Sequence, residues 1–252
     1  MNKWFGMLLC TMFTEVIWAA DIPAVLQWSH RVEISTPVSG VVQTVHVDVG
    51  DRVKKGQVLL ALDSATYQSM VAESQAVMAR LTEELGEAKR DKDRVQELYN
   101  RTVISTTELD QAKLRYAKAQ SMLAEARARL NQNRKILNDA TVRAPYDAVV
   151  VARQVEPGMT VATGIQPQTL MVLAKSGEML AESRLSGAQI DKLKVGQSVT
   201  VSVGNQRFSG KVKLLGLEPI KTKDESVIYP VEVIFPVTEQ LRAGISATVK
   251  FP

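Results

Sequence analysis

The segment that begins at Pro37 is repeated from Pro145, and a long stretch of different character separates the two copies. The first copy carries Val41, Val42, Val47, Gly50 and Val53; the second carries Val149, Val150, Val155, Gly158 and Val161. Each pair stands 108 positions apart, as in 145 − 37 and 158 − 50. After a slip of three residues, Leu59 to Leu62 matches Leu170 to Leu173. So many matches at one offset mark an internal repeat. Within the first copy, Val45, Val47 and Val49 alternate with Thr44, His46 and Asp48, the period of a strand with one buried face. Gly50-Asp51 and Pro157-Gly158 are turn pairs. Two such half-motifs, residues 37–63 and 141–175, are expected to pair into one small β-sandwich. His46 falls on the polar face and is expected to be solvated.

The intervening stretch reads as helix. From Ser64 to Asp139 there is no Pro and a single Gly, Gly86. Tyr67, Val71, Met78, Leu81, Leu85, Ala88, Val95 and Tyr99 follow a 4-3 spacing, broken at Ser74 and Lys92. A second series runs from Leu109 through Ala112, Tyr116, Ala119, Leu123, Ala126, Leu130 and Leu137 to Ala140, broken at Asn133. These are heptad seams. The register lapses between Arg101 and Thr107, where β-branched residues favour a turn. Ser105 or Thr106 is expected to cap the second helix. Residues 64–140 therefore predict a two-stranded antiparallel helical hairpin, with arms of roughly 50 Å at ~1.5 Å per residue. Five basic and seven acidic residues lie in Ser64–Asn100, against eight basic and four acidic in Arg101–Ala140. Opposite net signs favour side-by-side pairing, setting register more than stability.

Residues 176–252 return to short alternating strands. Val199, Val201 and Val203 alternate with Thr200 and Ser202; Val231, Val233 and Phe235 with Glu232 and Ile234; and Ile245, Ala247, Val249 and Phe251 with Ser246, Thr248 and Lys250. Glycines punctuate them, and Ser186 to Leu193 reads as a short helix. The pattern predicts a small antiparallel barrel. Residues 21–36, with Val32 and Ile34 alternating, are expected to add a strand to it. Residues 1–20 read as a secretory signal peptide: Lys3, an apolar run from Trp4 to Ile17, then Ala19-Ala20. Glu15 interrupts the run, which is also short for a ~20-residue membrane span. Cleavage after Ala20 would remove the one Cys, which suits an oxidising compartment.

Chemistry is sparse. Lys+Arg 31 against Asp+Glu 27 gives a net charge of +4, too small and too dispersed to argue for nucleic acid. Two His and one Cys argue against a His- or Cys-ligated metal site and a Cys/His nucleophile pair. No nucleophile elbow, zinc-protease motif or phosphate loop is present. Glu83, Glu84, Glu87, Asp91 and Asp93 fall on solvated helix faces. Met70, Met78 and Met122 read as seam fillers, and Met159, Met171 and Met179 are scattered through strands. The chain is expected to be no enzyme and to hold no cofactor or metal. The split repeat does resemble the halves of a lipoyl or biotinyl carrier domain. However, Leu62 to Thr66 stands where such domains display their modified lysine.

Taken together, the residues resemble the periplasmic adaptor, or membrane fusion, proteins of the HlyD/AcrA type. The resemblance rests on Val38 to Val42 followed by Gly50 to Leu59, on Val142 to Asp147, on Leu185 to Gly196 and on Leu241 to Ala247. It implies a mixed α and β fold of three modules: a split β-barrel, a split lipoyl-like sandwich and an α-helical coiled-coil hairpin. It implies a periplasmic adaptor, peripheral to the inner membrane. The adaptor would link an inner-membrane transporter, RND-type (resistance-nodulation-division) favoured and ABC-type possible, to a TolC-like outer-membrane channel. Small molecules would be exported through a homo-oligomer, a hexamer in the family's usual arrangement. Adaptors that meet such channels carry Arg, Leu four residues later, and an apolar residue and Ser at ten and eleven. Arg94, Leu98, Ile104 and Ser105 have that spacing and are implied to contact the channel. The loop from Thr163 to Gln168 is implied to line a constriction, through Gln166 or Gln168. Ala148 stands where the second half-motif usually has Gly; the change is expected to be tolerated, its one foreseeable effect being on a tight turn. The chain ends at Pro252 just after the barrel, so the membrane-proximal domain of many members is expected to be missing or rudimentary. Two alternatives stay open: a coiled-coil envelope scaffold, and an adaptor of a type I secretion system.

Overall fold

Strand periods and heptads sort into separate elements along the chain. In the computed structural model, which describes residues 21–164, 167–221, 227–238 and 241–251, the first elements are β1 (Asp21–Trp28), β2 (Arg31–Ile34), β3 (Gly40–Val45), β4 (Arg52–Val53) and β5 (Val58–Leu62). Next come α1 (Ala65–Asn100), α2 (Thr106–Asp139), β6 (Thr141–Arg143), β7 (Ala148–Arg153), β8 (Thr160–Val161) and β9 (Met171–Lys175). Then follow β10 (Glu178–Ser186), α3 (Gly187–Ile190), β11 (Ser198–Val203), β12 (Gln206–Leu215), β13 (Ile220–Lys221), β14 (Val227–Pro236) and β15 (Ser246–Lys250). They form two compact units: residues 32–174, and residues 21–31 with 175–251.

In the first unit the repeat folds by exchange. Shifting β3 by 108 positions gives β7, and shifting β4 gives β8 (40 + 108 = 148; 52 + 108 = 160). Neither short strand pairs within its own half. β3 pairs with β8, Gly40 opposite Val161, and β4 pairs with β7, Val53 opposite Ala148. The turns obey the same exchange: Gly50 N–H donates to the Val150 carbonyl and Gly158 N–H to the Val42 carbonyl, both at 2.8 Å. The sheet orders β2-β9-β7-β4 and β6-β5-β3-β8 interconvert when the halves are swapped. Each half thus completes the other's sheet, and Val42, Leu60, Leu62, Val150, Met171 and Leu173 share one core. Two- and four-residue strands could not bury a face alone.

Gly50 and Gly158 hold φ of 98° and 87°, in the left-handed region. Nothing lies within 4 Å of where a Cβ on Gly158 would stand. Gly158→Ala is therefore expected to cost about 1–2 kcal/mol, all of it conformational, read as a lower urea midpoint at unchanged slope.

Three details differ from the sequence pattern. The strand through Val45 stops there, and Val49 is 60% exposed in the turn that follows. Ala148 lies in β7 and is fully buried, not in a tight turn. Its counterpart Gly40 is also in a strand, where a Cβ would meet Leu62 at 3.5 Å and the Asp63 carbonyl at 3.9 Å, both ordinary contacts. Val32 and Ile34 lie in β2, which pairs with β9, and pack on the sandwich core. Of residues 21–36, only β1 serves the barrel.

The hairpin leaves the sandwich between β5 and β6. Its 36- and 34-residue helices extend for about 50 Å. Val71 and Leu81 on α1, and Leu109, Ala112, Leu123, Ala126 and Leu130 on α2, are buried. Met78 packs beside Leu81, Leu123 and Ala126, whereas Met70 and Met122 stay exposed. The register breaks answer one another. Buried Ser74 accepts from Asn133 Nδ2 at 2.7 Å and donates to the Met70 carbonyl at 2.9 Å. A polar pair inside an apolar seam has good geometry in one alignment only, so it fixes the register. Lys92, the other break, lies over the Tyr116 ring at 4.8 Å. Charge pairing runs largely along each helix: Arg80–Glu84, Arg101–Glu97 and Lys135–Asp139 are one turn apart, while Arg115–Asp91 crosses between helices.

In the second unit, β10, β1, β15, β11, β12 and β14 pair in that order, and β14 pairs back with β10. This closes a six-stranded antiparallel barrel, with β13 pairing to the Val227–Ile228 end of β14, beyond the stretch that pairs with β12. Inward alternation holds for Val199, Val201 and Val203, for Val231, Val233 and Phe235, and for Ala247, Val249 and Phe251, which fill the interior, but not for Ile245, which precedes β15 and is exposed. Ser186 caps α3, and Ile190 and Leu193 pack on the barrel core.

Candidate functional site at the hairpin tip

The tip joins α1 to α2 through residues 101–105. At the end of α1, Thr102 N–H donates to the Tyr99 carbonyl at 2.9 Å and Val103 N–H to the Leu98 carbonyl at 3.1 Å. This is a Schellman closure, which needs a left-handed residue at the position Thr102 occupies. Thr102 has φ of 60°, the one positive φ among described residues other than glycine. A β-branched side chain there is strained. The reversal leaves Val103 65% exposed, the most exposed apolar group of the tip.

α2 begins with a full capping box. Ser105 Oγ accepts from Glu108 N–H at 3.3 Å, and the Glu108 carboxylate accepts from Ser105 N–H at 3.2 Å. The expected cap is thus Ser105. Its residue surface is still exposed, while Leu98 and Ile104 are half-buried. The three residues share one end of the hairpin.

Arg94 lies further down α1, with its side chain 72% exposed. Its Nη2 donates to Asp91 Oδ1 at 2.5 Å, and Arg115 Nη2 on α2 donates to Asp91 Oδ2 at 2.7 Å. These atoms line an open groove of about 480 Å³ with Glu84, Glu87 and Arg90. Arg115, and then Arg94, hold the Asp91 carboxyl below the ordinary carboxylate range. A depressed folded-state pKa means that the pairing is present at neutral pH and is lost as pH falls through that lowered value.

Of the two constriction residues, Gln166 lies outside the described residues, and Gln168 is exposed just before β9. The segment is tied at its start. Ser39 Oγ accepts from Thr163 N–H at 2.9 Å, and the Ser39 carbonyl accepts from Tyr67 Oη at 2.6 Å. Gln168 therefore belongs to the sandwich end of the hairpin, far along α1 from Arg94, Leu98, Ile104 and Ser105. Sequence spacing passed over Val103, Asp91 and Arg115. Val103 was legible only as an apolar residue in a predicted turn. Asp91 reads from the sequence as a solvated charge, and only the alignment of the helices brings it to Arg115.

Among described residues, no group of three or more His, Cys, Asp or Glu is placed to hold a metal ion. No helix there is long and apolar enough to cross a membrane.

Residues 30–174 match the family profile described as CzcB-like, barrel-sandwich hybrid domain. The chain is 28% identical over 228 residues to the macrolide export protein MacA of Yersinia pestis, covering 84% of this chain and 61% of that one. It is 26% identical over 218 residues to the pyoverdine export membrane fusion protein PvdR of Pseudomonas aeruginosa, covering 80% and 56%. The chain thus spans about six-tenths of the length of these curated relatives. In fold it is similar to the membrane fusion protein Spr0693 of Streptococcus pneumoniae R6, with a TM-score of 0.72, 20% identity, and coverage of 92% of this chain and 97% of that one. A MacA–MexA chimera carrying the Pseudomonas aeruginosa MexA α-hairpin gives a TM-score of 0.69 at 23% identity, covering 92% and 77%.

Proposed function

We propose a function from the premise that this chain belongs to the periplasmic adaptor, or membrane fusion, protein family, through its CzcB-like barrel-sandwich hybrid domain. The protein acts as the adaptor of an efflux pump. It links an energy-coupled inner-membrane transporter to a TolC-like outer-membrane channel. Residues 1–20 direct export, and the protein works in the periplasm as a homo-oligomer, taken to be a hexamer. It performs no covalent chemistry; the transporter supplies the energy.

The observation that carries this reading is the hairpin tip. A capped, strained reversal presents Val103 outward, with Leu98, Ile104 and Ser105 beside it. Half-buried and exposed apolar groups ringed by hydrogen-bonding groups make an anchor for another protein's helices. Arg94 adds a guanidinium fork suited to carboxylate or carbonyl oxygens. Gln168 lines the constriction of the oligomer.

The test is a photo-cross-linking residue placed at Val103 in intact cell envelopes. The expected adduct is an outer-membrane channel, absent when the probe is moved to the exposed position Leu217 on the barrel. Adducts of the tip only with other copies of this chain would contradict the reading.

A further inference from the structure

Arginine at an interface is costly to order, because its side chain must give up many rotamers to make one contact. In this hairpin much of that ordering is already done. Asp91 stands one turn before Arg94 and accepts its Nη2 at 2.5 Å through Oδ1. The other carboxylate oxygen, Oδ2, accepts Arg115 Nη2 from the opposite helix at 2.7 Å. The Asp91 side chain is only 24% exposed, whereas the Arg94 and Arg115 side chains are 72% and 56% exposed. Asp91 is thus the inner, fixed member of the triad, and it is anchored from α2 as well as α1.

Arg94 spends one N–H on Asp91, and a guanidinium carries five. Its remaining donors stay available on the open side of the groove that Glu84, Glu87 and Arg90 also line. We propose that Asp91, braced by Arg115 across the hairpin, is a positioning residue that pre-orients Arg94 for the outer-membrane channel. The inference rests on the adaptor reading and deepens it. The bond to Asp91 fixes the arginine's direction without occupying its fork, so ordering is not charged to the docking step. A brace from α2 also ties Arg94's position to the hairpin's register, which Ser74 and Asn133 set further down the seam.

The test is a double-mutant cycle in the full-length protein. The readout is the yield of the Val103 photo-adduct with the outer-membrane channel, measured across a range of adaptor expression levels. Asp91→Ala is expected to lower the apparent capture about two- to tenfold, and Arg115→Gln to lower it in the same direction. In an Arg94→Ala background, both substitutions are expected to have no further effect. That dependence on Arg94 separates positioning from a general role in hairpin stability, which would lower capture equally in either background. Capture unchanged or strengthened by Asp91→Ala, with Arg94→Ala still weakening it, would overturn the positioning role and leave the adaptor reading intact. Capture unaffected by Arg94→Ala would overturn the role assigned to Arg94 itself, and the positioning role with it.

Discussion

Leu98→Asp is expected to abolish export while the hairpin stays folded, and Ser105→Arg to do the same. Leu98 is half-buried at the end of α1 and outside the hydrophobic cluster formed around Leu81, Leu123 and Ala126. Its loss leaves the seam that holds the helices together in place. At a partner contact, however, a carboxylate must be desolvated without a designed partner, at a cost of several kcal/mol. A loss of about 3–4 kcal/mol corresponds to a several-hundredfold weaker complex. Ser105→Arg also removes the side-chain acceptor that caps α2, worth about 1 kcal/mol of helix stability. The hairpin should absorb that loss, because its long seam supplies most of its stability. Accumulation of an exported dye in cells carrying each variant reads the function. Circular dichroism at 222 nm reads the fold. Lost helix in both variants would assign these residues to folding, and unchanged export would remove them from the interface.

Phe235→Ala is expected to cost about 3–5 kcal/mol in the barrel. Phe235 is 1% exposed, and its ring meets Phe208 at a centroid distance of 5.3 Å with the planes tilted at 45°. It sits on β14, which pairs with β10 on one side and β12 on the other. The cavity would therefore open at the strand that closes the ring. Hydrogen exchange resolved by peptide mass spectrometry reads the effect locally. Protection should fall in β10, β12 and β14 and hold in α1 and α2, which belong to the other compact unit. Equal loss of protection in the helices would show that the two units unfold as one.

The fold was legible wherever a residue's environment is set by its neighbours in sequence. Heptads announced the hairpin, and period-two valines announced β11 and β14. The matched glycines at 50 and 158 marked turns that the backbone confirms with φ above 80° in both copies. What stayed hidden depends on residues distant in sequence. Nothing local to Val53 says that it faces Ala148 and not a strand of its own half. Ser74 and Asn133 looked like two separate flaws, and only the antiparallel alignment makes them one hydrogen-bonded pair. Val49 kept the alternation of a strand, but the turn at Gly50 had already taken it out of the sheet.

The tip shows the same division. Ser105 as a cap was readable, since a Ser three residues before a Glu is a local signal. The left-handed Thr102 was not, because a β-branched residue is the last choice for that conformation. Asp91 was one acidic residue among many on a helix face. Its place between Arg94 and Arg115 follows from the seam register and not from its own neighbours.

The most direct test of the adaptor account is chemical cross-linking of the tagged, exported protein in intact envelopes, followed by mass spectrometry of what it captures. The account expects an outer-membrane channel and one inner-membrane transporter in the same capture. The identity of that transporter would decide between proton-driven and ATP-driven export. Recovery of neither, under conditions that trap the protein's own oligomer, would contradict the account and favour a coiled-coil scaffold.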